Sequence, residues 1–423
     1  MEPQRVPVAT YRLQFGGGFR FADARALVPY LAALGITDLY ASPLLAARTG
    51  SPHGYDVTDP SRLNPELGGE EGFAGLAAEL RRHGMGLLLD VVANHMAADP
   101  ENPWWCDVLR KGRASPFADH FDVDWEPPRD GLAGRILLPV LAKPYGPTLE
   151  GGELVPEQGE DGFWIRYRGR RFPLNAESAA GVATVPGGRE GGATEGGPPP
   201  PGVDPDRLDR LLERQHYRLA YWRVANREIN YRRFFDIHEL VGLRVEDAAV
   251  FEATHRRVLE LARGPVTGLR IDHIDGLRDP HAYLRRLQER LDQGEGGRAF
   301  YVVVEKILCG EEELPREWPV CGTTGYDFLN VVAGLFVDPE GLEALDGLYR
   351  RITGRGADFA AVVREKKRLV AAELFRADFR RLARGLGRLA EGERHGRDLT
   401  LDELEEALVE ATVHLPVYRT YVR

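Results

Sequence analysis

The chain has 423 residues, of which 43% are hydrophobic and 28% are charged, and its formal net charge is −10. This composition is typical of a globular protein with one large domain that carries an insertion, or with two to three domains. The acidic balance, without a basic stripe interleaved with aromatic residues, argues against a nucleic-acid partner. No apolar run reaches membrane-spanning length and residues 1–9 lack a signal-peptide core, so we expect neither membrane insertion nor export.

Cysteine usage points to a reducing compartment. The three cysteines, Cys106, Cys309 and Cys321, are odd in number and lack the spacing of metal ligands. We therefore expect a cytoplasmic protein with neither a disulfide framework nor a cysteine metal site.

Strand and helix patterns alternate through the first hundred residues. The predicted strands are residues 8–14, 36–41 and 86–92, and residues 42–59 are predicted to be a loop. This alternation is typical of parallel sheets and barrels. Each predicted helix has one apolar face, formed by Phe21, Ala24, Leu27, Leu31 and Leu34 in the first and by Phe73, Leu76, Ala77 and Leu80 in the second.

The periodicity stops between residues 97 and 205, which predicts an inserted subdomain because loops of this length rarely lack their own structure. Residues 186–201 are almost entirely Gly, Pro, Glu and small residues, and are predicted to be a flexible low-complexity loop. The tryptophans of this segment are either core residues or part of a closure over the site. They are Trp104, Trp105, Trp125 and Trp164.

Two later predicted strands each end in an acidic residue. Residues 268–272 alternate apolar and charged side chains, as a strand does, and end at Asp272. Residues 301–304 form an apolar, β-branched run that is followed by Glu305. The apolar spacing of residues 281–291 predicts a helix between them, so the unit is strand, helix, strand.

Carboxylates on neighbouring strand ends suit glycoside chemistry, in which one attacks the anomeric carbon and the other protonates the leaving oxygen. A salt-bridged structural pair is the alternative, since acids at strand ends are common. Arg270 favours catalysis because it lies two residues before Asp272, on the same strand face, where it would keep that carboxylate ionised and oriented. Asp272 and Glu305 are therefore the candidate catalytic residues.

Further polar residues follow two earlier predicted strands. They are Asp90, Asn94 and His95 after the third strand and His53, Tyr55 and Asp56 after the second. In a parallel barrel all such loops open on one face, so these side chains would surround Asp272 and Glu305. Taken singly, such a histidine more often binds a loop carbonyl, and such a tyrosine more often packs in the pocket wall without a role in binding. Polar groups at several strand ends together favour a sugar-binding site.

Residues 90–95 (DVVANH), residues 268–272 (GLRID) and Glu305 resemble, in order and spacing, three sequence regions of the α-amylase family of glycoside hydrolases. The resemblance implies that Asp272 is the nucleophile and Glu305 the general acid/base. It also implies the roles of four neighbours. Arg270 would support the nucleophile, His95 would contact the sugar, Tyr55 would stack under the ring being cleaved and Asp90 would be the structural partner of Arg270.

Within this family the chain is similar, over nearly its whole length, to the maltooligosyl trehalose synthases. The segments that carry this resemblance are residues 10–14 (TYRLQ), 51–57 (SPHGYDV), 229–235 (INYRRFF), 272–277 (DHIDGL) and 322–327 (GTTGYD). It implies that His53, Asp56, His273 and Asp275 contact substrate. Many amylases have Lys-His where this chain has Asp275-Gly276, and this difference implies another acceptor site.

The resemblance implies an intramolecular transglycosylation that converts the reducing-end α-1,4 link of a maltooligosaccharide, or of a glycogen-derived α-glucan, into an α,α-1,1 link. Two successive displacements retain configuration. The implied pathway partner is a maltooligosyl trehalose trehalohydrolase, and no cofactor is implied. Asn94 matches a calcium-binding position of many amylases, but a structural role at a strand end explains it equally, and we predict no metal.

The predicted fold class is α/β, with a (β/α)8 TIM-barrel catalytic domain that is incomplete at the C-terminus and carries the inserted subdomain after its third strand. The predicted segments are residues 1–96 and 206–338 for the barrel, 97–205 for the insertion and 339–423 for a mainly helical part with a possible strand at residues 414–422.

Two features of the family are not evident in the sequence. The dipeptide His-Asp, which would mark a third carboxylate late in the barrel, does not occur, and no C-terminal β-domain is apparent. Two alternatives therefore stay open. One is an inactive or glucan-binding fragment, and the other is a different α-glucan hydrolase or glucanotransferase of the same family.

Overall fold

The computed structural model describes residues 5–129, 131–178, 204–292, 299–356 and 358–422. The low-complexity loop predicted at residues 186–201 lies outside these residues. The chain divides into two compact units. The first unit comprises Met1–Val304 with Trp318–Cys321, and the second comprises Glu305–Glu317 with Gly322–Arg423.

The strands of the described residues are short, of two to seven residues. In chain order they are β1 (Thr10–Leu13), β2 (Asp38–Ala41), β3 (Leu45–Ala47), β4 (Val57–Leu63), β5 (Gly86–Val92), β6 (His95–Ala97), β7 (Ile136–Leu141), β8 (Val155–Gly159), β9 (Gly162–Tyr167), β10 (Arg170–Pro173), β11 (Tyr217–Tyr221), β12 (Arg233–Phe234), β13 (Ile237–Gly242), β14 (Gly268–Asp272), β15 (Tyr301–Val304) and β16 (Gly322–Thr323).

The α-helices of the described residues have four to 15 residues. In chain order they are α1 (Phe21–Ala33), α2 (Gly69–Arg82), α3 (Pro103–Lys111), α4 (Tyr145–Glu150), α5 (Pro205–Leu212), α6 (Ala225–Glu228), α7 (Ala248–Ala262), α8 (Pro280–Leu291), α9 (Tyr326–Gly334), α10 (Pro339–Thr353), α11 (Phe359–Glu373), α12 (Arg376–Ala390) and α13 (Leu401–His414). Among the described residues, no helix combines the length and the apolar character that crossing a membrane requires.

The core of the first unit is a parallel sheet with the strand order β1, β2, β5, β14, β15. Every residue of β14 is buried, and so are the first six residues of β5. Such double-sided burial suits the apolar run of residues 87–89 in β5, whereas in β14 the apolar Leu269 and Ile271 alternate with two buried charged residues. The register pairs Arg270 with Asp90, and this pairing brings the polar residues of two distant segments together.

The predicted strands and helices of the parallel sheet are confirmed, with shorter bounds for the first two strands. Helix α8 buries its predicted apolar residues, from Tyr283 to Leu291. The predicted face of α1 is partly wrong, because Leu27 and Leu34 are 36% and 56% exposed. Val28 is buried instead, since it lies one turn after Ala24 and one turn before Leu31, on the same face of the helix.

Two other predictions are wrong. Residues 42–59 contain β3 and the start of β4, which pair antiparallel, so this segment is not an irregular loop. The pairing satisfies backbone groups that would otherwise be buried without partners. Residues 415–422 form no strand; α13 extends to His414 and the chain continues without regular structure.

Between β6 and α7 the chain forms small sheets of its own within the first unit. Strands β8, β9 and β10 form an antiparallel meander, and β7 pairs in parallel with β11. Strand β13 pairs with β12 and with β6, which ties this region to the end of β5. Trp105, Trp125 and Trp164 are at most 7% exposed, so these three tryptophans are core residues.

The second unit is helical in its described residues. Helix α13 packs against α11 and α12. Asp338, Asp358 and Thr400 cap the N-termini of α10, α11 and α13 by accepting hydrogen bonds from backbone N–H groups. Apolar side chains of α10 stay exposed, and among them are Leu345 and Ile352.

Candidate active site

The C-terminal end of β14 carries the central residues of the site. The period of two directs Leu269 and Ile271, both fully buried, to one face, and Arg270 and Asp272 to the other. Gly268 begins the strand where a side chain has no room, because a Cβ there would lie 2.8 Å from the ring of Tyr301 on the neighbouring strand. The close approach of β14 and β15 therefore depends on this glycine.

One guanidinium nitrogen of Arg270 binds two carboxylates. Nη1 donates to Oδ1 of Asp90 at 2.8 Å and to Oδ1 of Asp272 at 2.5 Å. All three side chains are at most 8% exposed. Buried side chains that are paired and hydrogen-bonded keep a defined geometry, so Arg270 fixes the orientation of the Asp272 carboxyl group.

Two tyrosines bind the other oxygen of Asp90. The hydroxyl of Tyr55 donates to Oδ2 at 2.6 Å and that of Tyr40 donates to the same atom at 3.1 Å. Burial, and next the Asp90 charge, raise the pKa of both phenols, so both stay protonated donors. Arg12 donates to the Tyr55 hydroxyl oxygen at 3.2 Å. Tyr55 is thus fixed through the hydrogen bonds of its hydroxyl group, and the residue is half-buried at the site.

Histidines and phenylalanines form a second wall. The ring of Phe234 lies 4.7 Å from that of His95 and 4.9 Å from that of His273, and Phe235 lies 5.0 Å from His273. Burial, and to a lesser degree the neighbouring His273, lower the pKa of His95 to about 3. His95 is therefore neutral at physiological pH, and among the residues that the structure describes its buried Nε2 has no hydrogen-bond partner.

His273 has a left-handed backbone with φ 46°, which is a strained conformation for a histidine. It begins the turn that carries Asp275 and Gly276 away from the strand end. A Cβ on Gly276 would contact the His273 ring and would lie 2.5 Å from Oδ1 of Asn94. There is thus no room for a side chain at the position where many amylases carry a histidine.

Asn94 is bound by an arginine. Nη1 of Arg232 donates to Oδ1 of Asn94 at 2.5 Å, and Nε of Arg232 donates to Asp122 at 3.1 Å. In the parts of the chain that the structure describes, no group of three or more His, Cys, Asp or Glu side chains is placed to hold a metal. The positive charge beside the Asn94 carbonyl is that of Arg232.

The remaining predicted substrate residues lie at different places. His53 is exposed and accepts a hydrogen bond from the Tyr55 N–H, whereas Asp56 is buried and accepts one from Ser51 within its own loop. Asp275 is half-buried in the turn after β14. Glu305 directly follows β15 and is the first residue of the second unit.

Sequence reasoning missed several residues of this site. Tyr40 and Arg12 had a signal, since both are polar positions near the ends of predicted strands. Phe234, Phe235 and Arg232 lie in the segment of residues 229–235, which carried part of the family resemblance without a role for each residue. Arg232 had no local signal, because its contact with Asn94 joins residues far apart in the chain.

The α-amylase catalytic-domain family model matches residues 26–141. A Mycobacterium tuberculosis protein assigned as a maltooligosyl trehalose synthase is 40% identical over 389 residues, which are 89% of this chain and 45% of that protein. The maltooligosyltrehalose synthase structure from Arthrobacter ramosus has a TM-score of 0.81 at 40% identity, covering 98% of this chain and 48% of that one. A Sulfolobus tokodaii structure assigned to the same enzyme has a TM-score of 0.78 at 34% identity, covering 99% and 49%.

The chain thus spans about half the length of the curated relatives and solved structures that it matches. Its catalytic fold is of the (β/α)8 type, as the family model and these structures show together with the parallel sheet. The chain belongs to the α-amylase family of glycoside hydrolases and is homologous to its maltooligosyl trehalose synthases.

Proposed function

We propose that this chain acts in the intramolecular transglycosylation of maltooligosaccharides, in which the reducing-end α-1,4 link becomes an α,α-1,1 link. The observation that carries the proposal is the Asp90–Arg270–Asp272 group, which presents an oriented carboxyl group at the end of β14. The homology with maltooligosyl trehalose synthases supports the same reaction.

The first step is the attack of Asp272 on the anomeric carbon of the penultimate glucose. Glu305 protonates the departing oxygen of the terminal glucose, and the C–O bond between the two sugars breaks. Arg270 holds the Asp272 carboxylate, and Tyr55 stacks under the reacting ring. The product of this step is a glycosyl ester on Asp272 and a free glucose that stays in the site.

The second step joins the same two sugars differently. The released glucose turns so that its anomeric hydroxyl faces the glycosyl ester, and Glu305 removes the proton of that hydroxyl. The new oxygen attacks the anomeric carbon, and Asp272 leaves as a carboxylate. Two inversions retain the α configuration, and water must be excluded for transfer to exceed hydrolysis.

The substrate side of the site is assigned in the same proposal. His95, with a neutral ring and a buried Nε2, donates or accepts a hydrogen bond with a sugar hydroxyl. The other substrate contacts are His53, Asp56, His273 and Asp275, and Asn94 supports the site through Arg232. The absence of a side chain at Gly276 lets the turn after β14 pack closely against the His273 ring and Asn94, and we assign this turn to the acceptor side of the site.

Domain organisation, location and pathway are part of the proposal. The barrel segments, residues 1–96 and 206–338, the inserted subdomain, residues 97–205, and the incompleteness of the barrel stay predictions. A cytoplasmic location, a maltooligosaccharide or glycogen-derived substrate and a maltooligosyl trehalose trehalohydrolase as pathway partner stay predictions as well, as does the absence of a metal, a membrane or a nucleic acid among the partners.

The test is an incubation of the 423-residue chain with maltopentaose, in which reducing ends and product mass are followed together. Loss of reducing ends at constant mass supports the synthase reaction. New reducing ends favour the alternative of an α-glucan hydrolase. Products of altered length favour a glucanotransferase, and a folded chain without any product favours an inactive fragment that lacks the third carboxylate.

The assignment of residues is tested by substitution in the same assay. Asp272→Asn and Glu305→Gln are each expected to lower turnover by about 10³-fold or more without loss of folding. Glu311→Gln is a matched control near Glu305, since Glu311 is an exposed acid of the same loop. Near-normal activity of either catalytic variant would contradict the assignment.

A further inference from the structure

A depression of about 290 Å³ opens in the first unit, and the residues that line it all belong to the region of small sheets between β6 and α7. Its floor includes the end of β7 and the buried ring of Tyr167, and its rim carries Trp222, Arg170, His238 and Glu239. We call it the Trp222 depression. Its volume is near the lower end of the range of small-ligand sites.

Trp222 is the unusual residue of this depression. It is 50% exposed, whereas Trp105, Trp125 and Trp164 are at most 7% exposed. Its ring is held in place by the edge-on ring of Tyr221, 5.9 Å away, and by the guanidinium of Arg223, which lies 5.3 Å from the ring centre. A large apolar ring that is fixed by its neighbours and still exposed is a preorganised binding surface.

The polar groups of the rim are balanced in charge. Nη2 of Arg170 lies 3.3 Å from Oε1 of Glu239, and Nε2 of His238 lies 3.5 Å from the same oxygen. Arg168 also lines the depression and pairs with Glu153 at 3.3 Å. Because each guanidinium has a carboxylate beside it, the rim suits a neutral ligand with many hydroxyls better than a phosphate or another anion.

These two features match the chemistry of a pyranose. The C–H groups of a glucose ring form an apolar face that stacks on an indole, and its equatorial hydroxyls donate to a carboxylate and accept from a guanidinium. Tyr167 adds a further group, because its hydroxyl oxygen accepts from the Ala142 N–H at 2.9 Å and its own hydrogen can donate to a ligand.

Strand β13 connects the depression with the active site. His238 and Glu239 lie near its start, and Gly242 at its end pairs with His95. From His238 to Gly242 the extended strand rises by about 13 Å. A glucan chain would therefore need several glucose units, and not one, to reach from the depression to His95.

Resting on the proposed function, we propose that the Trp222 depression binds a glucose unit of the α-glucan chain remote from the reacting end, with Trp222 as the stacking surface. A chain that reaches both sites gains the second contact without a second association event, so long substrates are favoured over short ones. The depression is thus a positioning site that selects substrate length.

The test is calorimetric titration of the full chain, carrying Asp272→Asn so that the ligand is not converted, with maltoheptaose and maltotriose. Adding Trp222→Ala is expected to weaken maltoheptaose binding about tenfold and to change maltotriose binding less than twofold. Trp222→Phe, which keeps an aromatic ring, is expected to restore most of the loss. Tyr30→Ala removes another exposed ring, on α1, and is the matched control without effect.

Equal weakening of both ligands, or no weakening of maltoheptaose, would overturn the proposal. Glu239→Gln gives an independent check, since it removes the rim carboxylate without touching the aromatic ring, and it is expected to weaken maltoheptaose selectively as well. Binding does not depend on turnover. Selective loss of maltoheptaose binding in these variants, together with a parent chain that keeps Asp272 and makes no α,α-1,1 product, would therefore contradict the proposed reaction and support the depression.

Discussion

Arg270 and Asp272, two residues apart on β14, are joined by a nitrogen–oxygen distance of 2.5 Å, and the same nitrogen binds Asp90 on the adjacent strand at 2.8 Å. A single guanidinium thus positions the candidate nucleophile and anchors it to the neighbouring strand. Because the group is buried, its geometry is fixed by packing as well as by charge.

Removing this guanidinium is expected to destabilise the first unit. Arg270→Met takes the shared cation from two buried carboxylates and should lower the free energy of unfolding by about 3 kcal/mol or more. Arg62→Met is the matched control, because Arg62 pairs with Asp59 at 2.9 Å with its side chain 60% exposed, and it should cost less than about 1 kcal/mol. Denaturant titration measures both, and equal losses would contradict the central role of Arg270.

The two tyrosine hydroxyls that bind Asp90 are expected to contribute unequally to the free energy of unfolding. Tyr55→Phe removes the 2.6 Å hydrogen bond and should lower stability by about 1–2 kcal/mol, while Tyr40→Phe removes the 3.1 Å bond and should lower it less. Both substitutions keep the ring, so packing is matched. Thermal or chemical unfolding measures the difference. A larger loss of stability for Tyr40→Phe than for Tyr55→Phe would contradict this prediction.

The turn after β14 is expected to tolerate no side chain at Gly276. A Cβ there would meet the His273 ring and Asn94, and because Asn94 is itself bound by Arg232, Gly276→Ala should displace the strained turn and lower both stability and any glycosyl transfer. Gly146→Ala is the control, since a Cβ at this helical glycine meets nothing within 4 Å. Its stability should be unchanged or slightly higher.

Stability is expected to fall in mild acid because of buried neutral histidines. His255, which is bound by Tyr283 at 2.8 Å and lies near Arg286, has its pKa lowered to about 4, first by burial. The unfolded chain binds this proton near the ordinary pKa of 6.5, so the contribution is complete above that pH and is lost as the pH falls towards 4.

The expected slope in this window is about 1.4 kcal/mol per pH unit for each such histidine. His255→Leu should therefore unfold with a shallower pH dependence than the parent chain, whatever its absolute stability. His95, with a pKa of about 3, adds a similar slope that His255→Leu leaves in place. Parallel pH curves for parent and variant would contradict the neutral buried state of His255.

Much of the first unit could be predicted from local patterns. The period-two alternation of Arg270 and Asp272 and the apolar runs of β5 and β15 need only neighbouring residues, because the pleat directs alternate side chains to opposite faces. The polar residues that follow several predicted strands indicated that they would meet at one edge of the sheet. The structure brings Asp90, Tyr55 and Arg270 together at that edge.

The sequence by itself therefore determined the strands and helices of the parallel sheet, most of their buried faces and the polar strand ends. Tertiary structure alone decided the contacts between distant residues, such as Arg232 with Asn94, the two tyrosines on one Asp90 oxygen and the burial of Val28 in place of Leu27. The physical reason is that helix and strand periods follow from covalent geometry, whereas these contacts depend on strand register and on packing between segments that no local pattern records.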